Sequence, residues 1–125
     1  MAVAQPVSSA GQTAVNALAA ESARLLNGQG LEVVGVRKKG FLGSLDRWKP
    51  SLKLKADKFV EGQLFGDAME RITLNNGRQD ASKLNTCLTY GMWERAGLPG
   101  PRCNFARVRV NEWEMGIYAH VEALK

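Results

Sequence analysis

The residues best able to do chemistry lie between positions 37 and 58. A glycine-bearing loop, Gly40-Phe41-Leu42-Gly43-Ser44, sits among basic side chains, and Lys53 and Lys55 follow it, two residues apart. Paired glycines let backbone amides approach a phosphate closely, and a lysine on a neighbouring strand can meet that phosphate as a positioned point charge. The loop lacks the GK[ST] ending of a Walker loop, and no helix pattern starts directly after it. Either a phosphate cradle or an ordinary β-turn fits these residues, and either a phosphate contact or a solvated sheet face fits the two lysines. From Arg37 to Lys58 eight bases stand against Asp46 and Asp57, a local +6, while the rest of the chain sums to −1. Such a surface attracts the phosphate of a nucleotide, a nucleic acid or a lipid headgroup. Its only aromatic residues are Phe41 and Trp48, which argues against nucleic acid, because single-strand binders stack bases on aromatic platforms.

The other reactive side chains form no catalytic set. His120 is the single histidine, and no G-x-S-x-G elbow accompanies it, so a Ser/His/Asp site is not indicated. Cys87 and Cys103 belong to no CxxC or Cys/His cluster, which sets structural zinc aside; they fit two buried thiols or one bridge equally. Glu112, Glu114 and Glu122 read as surface charges or cross-strand partners of Arg107 and Arg109 rather than as an acid/base pair.

These residues need a scaffold, and the chain supplies one domain's worth. Its 125 residues, 45% apolar and 23% charged, can bury a core without disulfide or metal. No apolar run is long enough to span a bilayer, and the start MAVAQPVSSAG lacks the pattern of a signal peptide. Ser9 and Gln12 form a capping box ahead of Val15, Leu18, Ala19, Ser22, Leu25 and Leu26 at helical spacing. This pattern predicts a helix over about residues 10–27, within an N-terminal extension of residues 1–30. The segment 31–37 is β-rich. In SLKLKA, Leu52, Leu54 and Ala56 alternate with Lys53 and Lys55, so one strand face is core and the other cationic. Residues 70–74 give another strand, and Asn75-Asn76-Gly77 a turn. Asp80 or Ser82 caps a helix to about Ala96 whose inner face is Leu84, Cys87, Leu88 and Met92. Residues 103–124 form a hairpin. A two-residue loop at Asn111-Glu112 sets Val110 against Trp113, Arg109 against Glu114 and Phe105 against Tyr118, and puts Met115, Ile117, Ala119 and Val121 on one face; a four-residue loop is the alternative. The order predicts an α+β fold with a mostly antiparallel sheet.

Taken together, VGVRKKGFLGSLD, KPSLKLKADKFVEGQLFG, ITLNNGRQDASKLNTCLTY, AGLPGPRCNFARVRVN and MGIYAHVE resemble the CotH kinase family, relatives of spore coat protein H, over about residues 33–125. The resemblance implies an atypical, protein-kinase-like fold using ATP and a divalent metal such as Mg to phosphorylate protein side chains. It implies that SLKLKA is the strand presenting the ATP lysine, residues 80–96 the C helix, and the last hairpin the pair of strands leading to the hinge at Glu122 to Lys125. Residues 31–125 are then the N-terminal lobe, with the catalytic and metal-binding acids in a C-terminal lobe outside this sequence. The cofactor-binding candidates become Gly40, Gly43, Ser44, Glu122 and Lys53 or Lys55, with Arg37, Lys49 and Arg109 as contributors. The implied partners are that second lobe or a second copy, and a protein substrate; family members are often spore-coat or extracellular proteins. Asn85 and Thr86 stand where the family has Arg-Glu, Ala81 where it has Pro, and Glu112 where it has Gly. The first change removes a carboxylate that could pair with a nucleotide-binding lysine. The competing expectation is a basic, non-catalytic module that engages acidic protein or nucleic acid.

Overall fold

The protein is described by a computed structural model, which covers residues 2–6, 22–27, 30–40, 46–65, 68–111 and 113–123. Seven strands and one α-helix succeed each other along the described residues. These are β1 (Ala2–Pro6), β2 (Ser22–Asn27), β3 (Gly30–Lys38), β4 (Leu52–Lys55), β5 (Arg71–Asn75), α1 (Asn85–Arg95), β6 (Cys103–Val110) and β7 (Trp113–Glu122), with a short 3-10 turn after β4 at Ala56–Lys58. The spatial order is β1-β2-β3-β4-β5-β7-β6. Every adjacent pair is antiparallel except β1 with β6, whose parallel contact at Val3 and Val110 closes the sheet into a barrel. The expected α+β architecture with a mostly antiparallel sheet holds.

The core follows from strand alternation. Val34 and Val36 of β3, Leu52 and Leu54 of β4, Ile72 and Leu74 of β5, and Ala106, Val108 and Val110 of β6 are all buried in one cluster. Successive side chains on a strand point to opposite faces, so each of these strands gives this inner face every second residue. The alternate residues Arg37, Lys53, Lys55, Arg71 and Thr73 lie on the outer face.

Strand β7 departs from simple alternation, and the sequence reading of its faces needs correction. Val110 pairs with Trp113 and Arg109 with Glu114, as a two-residue loop at Asn111 requires. The register then shifts, so that Val108 meets Gly116, Ala106 meets Tyr118 and Phe105 meets Ala119 rather than Tyr118. A bulge adds one residue to one strand and reverses the facing of every residue beyond it. Gly116 sits there with φ of +80°, a conformation open to glycine at little cost. Tyr118 is therefore turned into the core at 0% exposure, while Ile117, expected inside, is exposed.

Ala119 and Val121, beyond the bulge, are buried on the outer face, where α1 lies against β6 and β7. The residues of α1 that face the sheet are the half-buried Thr86, Cys87, Tyr90 and Gly91. Of the expected inner face only Cys87 remains; Leu84, Leu88 and Met92 are 47%, 59% and 69% exposed. Period 3.6 identifies an apolar stripe without telling which way the helix is turned, and here the tether decides. Cys87 of α1 is disulfide-bonded to Cys103 at the start of β6. That bridge closes a loop of sequence separation 16, worth about 3 kcal/mol by restriction of the unfolded chain. The helix start is fixed by Asp80, whose Oδ2 accepts the Asn85 N–H at 2.9 Å while its Oδ1 accepts the Ser82 hydroxyl at 2.6 Å. Ser82 Oγ in turn accepts the Leu84 N–H at 3.2 Å, so Asp80 and Ser82 brace the turn that leads into the helix, although the N-cap position itself is Leu84 and not either expected cap. Gly97, with φ of +73°, ends the helix.

At the N-terminus, residues 22–27 are a strand paired along β3 from Ser22–Gly35 to Asn27–Gly30, not the last turns of a helix. A six-residue ladder against β3 outweighs a weak helical preference. The rest of the expected helix lies outside the described residues.

Candidate functional site

The cationic outer face is assembled by register. Arg37 of β3 is the cross-strand neighbour of Lys53, Lys53 of Thr73, Thr73 of Val121, and Val121 of Cys103. Cross-strand neighbours point to the same face, so a single row runs from Arg37 through Lys53 to the cysteine that carries α1. Lysine and helix therefore share one face of the sheet, with the strands stepping about 4.8 Å apart between them.

The two candidate lysines differ in company. Lys55, paired across the strands with Gly35 and Arg71, has its ammonium 3.3 Å from the Asp57 carboxylate. Lys53 has no ion-pair partner among the described residues, and its neighbour Arg37 carries the same charge. Like charges placed directly opposite each other destabilise a sheet. An anion between Arg37 and Lys53 would relieve that penalty.

The glycine loop is held at both ends. On the β3 side, Lys39 donates its backbone N–H to Ser51 O at 2.8 Å and its ammonium to Asn75 Oδ1 at 3.2 Å. On the β4 side, Asp46 Oδ1 accepts the N–H groups of Trp48 and Lys49, and Asp46 also ion-pairs with Arg78. Asn76 donates its side-chain amide to Lys49 O at 2.7 Å and its backbone N–H to Ser51 Oγ at 2.9 Å. Tyr118 donates its hydroxyl to Pro50 O at 2.9 Å. Gly40, at the loop's start, is exposed, and a Cβ there would meet nothing within 4 Å. Gly43 and Ser44 lie outside the described residues.

Lys49 has a different task from the one expected of it. Its ammonium donates to Ile117 O at 2.9 Å and lies 5.0 Å from the centre of the Tyr118 ring, so it clamps the β7 bulge. Burial, and then the charge of Lys83, lower its pKa. Arg109 faces Glu114 across the hairpin, but the ion pair at Glu114 is made by Arg107, at 3.1 Å.

Glu122 does not join the lysines. It is the cross-strand neighbour of Ile72, on the row facing away from Lys53, and its carboxylate receives hydrogen bonds from the Arg102 guanidinium at 3.0 and 3.2 Å and from the Arg102 backbone N–H at 3.5 Å. Arg102 holds that carboxyl below the usual carboxylate range. The structure thus brings Lys53, Lys55 and Arg37 onto the face of α1 and leaves Glu122 on the other. Sequence reasoning missed the bulge and with it the roles of Lys49 and Tyr118. The signal was Gly116, an isolated glycine inside a strand pattern. Among the described residues no three His, Cys, Asp or Glu side chains converge as metal ligands, and no helix is long and apolar enough to cross a membrane.

No curated protein matches the chain. The family described as CotH kinase protein matches residues 36–125, from the second half of β3 past the end of β7. That span holds the lysine strand, α1, the disulfide and the whole β6-β7 hairpin, and covers well over half of the sequence. The chain belongs to the CotH kinase family.

Proposed function

We propose that this chain supplies the ATP-phosphate-binding part of a CotH-type atypical protein kinase, with Lys53 as the ammonium that meets the phosphates. The observation carrying this reading is the contrast between neighbours. Lys53 shares α1's face, stands beside Arg37 and has no carboxylate among the described residues, whereas Lys55 is paired with Asp57. Gly40, which follows β3, has room for a ligand to approach its backbone.

In this reading the fold corresponds to the N-terminal lobe of an atypical kinase, with α1 as its C helix. Family membership supports that correspondence, and so does the shared face of lysine strand and helix. ATP with a divalent metal is the implied cofactor; its contribution is charge neutralisation at the transferred phosphoryl group. The phosphates fit Lys53 and Arg37. In this reading the metal ligands and the base for a protein substrate belong to a second lobe, as the family resemblance implies, and phosphate transfer needs that lobe. Asn85 and Thr86 give α1 no carboxylate in its first turn, so Lys53 is held by the sheet and not by an ion pair to the helix.

Titrating the chain with a fluorescent ATP analogue in the presence of Mg tests this. Lys53→Ala should weaken binding by about tenfold or more, the worth of a charge-assisted hydrogen bond, and Lys55→Ala by less than about threefold. Equal effects of the two substitutions, or transfer of labelled phosphate to a protein acceptor by this polypeptide, would contradict the reading. Salt-dependent duplex binding that ignores ATP and is lost in Lys53→Glu would instead identify a basic binding module.

A further inference from the structure

We propose that the Cys87–Cys103 disulfide is a redox latch, setting α1 against β6 and β7 on the face that also carries Lys53 when oxidised and releasing it when reduced, while the sheet stays folded. Four observations meet here. None of α1's residues is fully buried. Its apolar stripe of Leu84, Leu88 and Met92 points away from the sheet, so none of these large apolar side chains is buried there, and the helix rests on Ala119 and Val121 of β7. The bridge joins its first turn to the outermost residue of β6, on the row that runs through Val121 and Thr73 to Lys53. Both cysteines lie at partly exposed positions, within reach of a small thiol.

The far end of α1 is held mainly by itself. Gly100 folds back so that its Cβ position lies 3.4 Å from the Trp93 ring and 3.9 Å from Tyr90, and the two rings meet edge to face at 5.6 Å. These contacts join the helix to its own following loop and not to the sheet. The inner-face cluster contains no residue of α1, so releasing the helix leaves that cluster intact.

The opening step is thiol–disulfide exchange with a dithiol. One thiolate attacks a sulfur of the bridge, the S–S bond breaks, and a mixed disulfide forms with one cysteine leaving as thiolate. The second thiol of the reductant displaces the other cysteine. Two electrons and two protons pass to Cys87 and Cys103, and the reductant leaves as a cyclic disulfide. The consequence for nucleotide binding rests on the function proposed above; the release of α1 does not.

Hydrogen exchange on the 125-residue chain, oxidised or reduced with a dithiol and then alkylated, separates the two. Reduction should expose two alkylatable thiols and speed exchange in residues 85–95 by about a hundredfold, the order of what closing such a loop contributes, with the amides of β3 to β7 unchanged. The double variant Cys87→Ser/Cys103→Ser should match the reduced chain without alkylation. ATP-analogue affinity should fall several-fold in both. Unchanged protection of α1 after reduction would overturn the latch, and so would loss of protection throughout the sheet. Release of α1 with unchanged affinity in a chain that binds the analogue would also overturn it. If the oxidised chain binds no analogue, the function reading fails, and the exchange of α1 still decides the latch.

Discussion

Strand β4 carries the two characters of this molecule side by side. Leu54 is 1% exposed and belongs to a cluster drawn from β3 to β7, whereas Lys53, one residue earlier, points to the outer face among charges and a helix with no fully buried residue. The inner face is held by packing, and the outer face, beyond the buried Ala119 and Val121, by a covalent bridge, ion pairs and caps. Packing is non-directional and distributed over many contacts. A bridge or a cap acts at one point. A sheet with both can remain folded while what lies on its outer face is repositioned, and that is the arrangement a ligand-binding face needs.

The sharpest test compares one leucine from each side. Leu54→Ala should lower the unfolding free energy by about 3 kcal/mol, through lost transfer energy and the cavity left behind. Leu88→Ala, on the outward stripe of α1, should change it by less than about 0.5 kcal/mol. Urea unfolding followed by tryptophan fluorescence measures both. A Leu88→Ala cost near that of Leu54→Ala would show that the stripe is covered in solution, and sedimentation of the wild-type chain would then reveal an associated species.

A second test lies where the two sides meet. The Tyr118 ring is buried in the inner cluster, while its hydroxyl donates to Pro50 O and so fixes the segment that closes the glycine loop. Tyr118→Phe keeps the ring and leaves the Pro50 carbonyl without that donor, at a cost of about 1 to 2 kcal/mol. Exchange should quicken in residues 46–51 and stay unchanged in β4 and β5. If the loss spreads evenly through the sheet, the hydroxyl serves the core and not the loop.

How much of this the sequence discloses depends on whether the determinant is local. SLKLKA states its faces outright, because alternation needs no information from elsewhere, and the Asp80/Ser82 brace at the helix start and the Gly97 stop are equally local. The motif order also discloses the family. The orientation of α1 is not legible in that way: Leu84, Leu88 and Met92 form a good stripe, and only the long-range bond from Cys87 to Cys103 turns it outward. The register beyond Gly116 depends on a single inserted residue, which displaces Tyr118 and Ile117 to opposite faces. Residues 22–27 carry a helical pattern and become a strand because β3 offers them a complete ladder. At the candidate site, Lys53 and Lys55 differ by a local feature, the 3-10 turn after β4 that brings Asp57 back to Lys55.

The smallest effect separates a buried histidine from the exposed ion pairs by their protons. His120 is on the inner-face row, between Leu74 and Asn104, with its Nε2 buried and without a partner among the described residues. Burial lowers its pKa below the ordinary 6.5. As pH falls from 6.5 toward the folded value, the unfolded chain takes up a proton that the folded chain resists, so stability declines over that interval and levels off below it. Glu114 and Glu122 are held below the ordinary 4.5 by hydrogen bonds from Arg107 and Arg102. Their contribution is present above 4.5 and is lost only as pH falls further, through their folded values. Two limbs should therefore appear in urea midpoints measured from pH 7.5 down to 3, one beginning near 6.5 and one near 4.5. His120→Gln should flatten the first and leave the second. Added salt should do the reverse, because it screens exposed ion pairs and leaves a desolvation penalty in place. A first limb that survives His120→Gln would place the responsible group elsewhere and remove His120 from the account of the inner face.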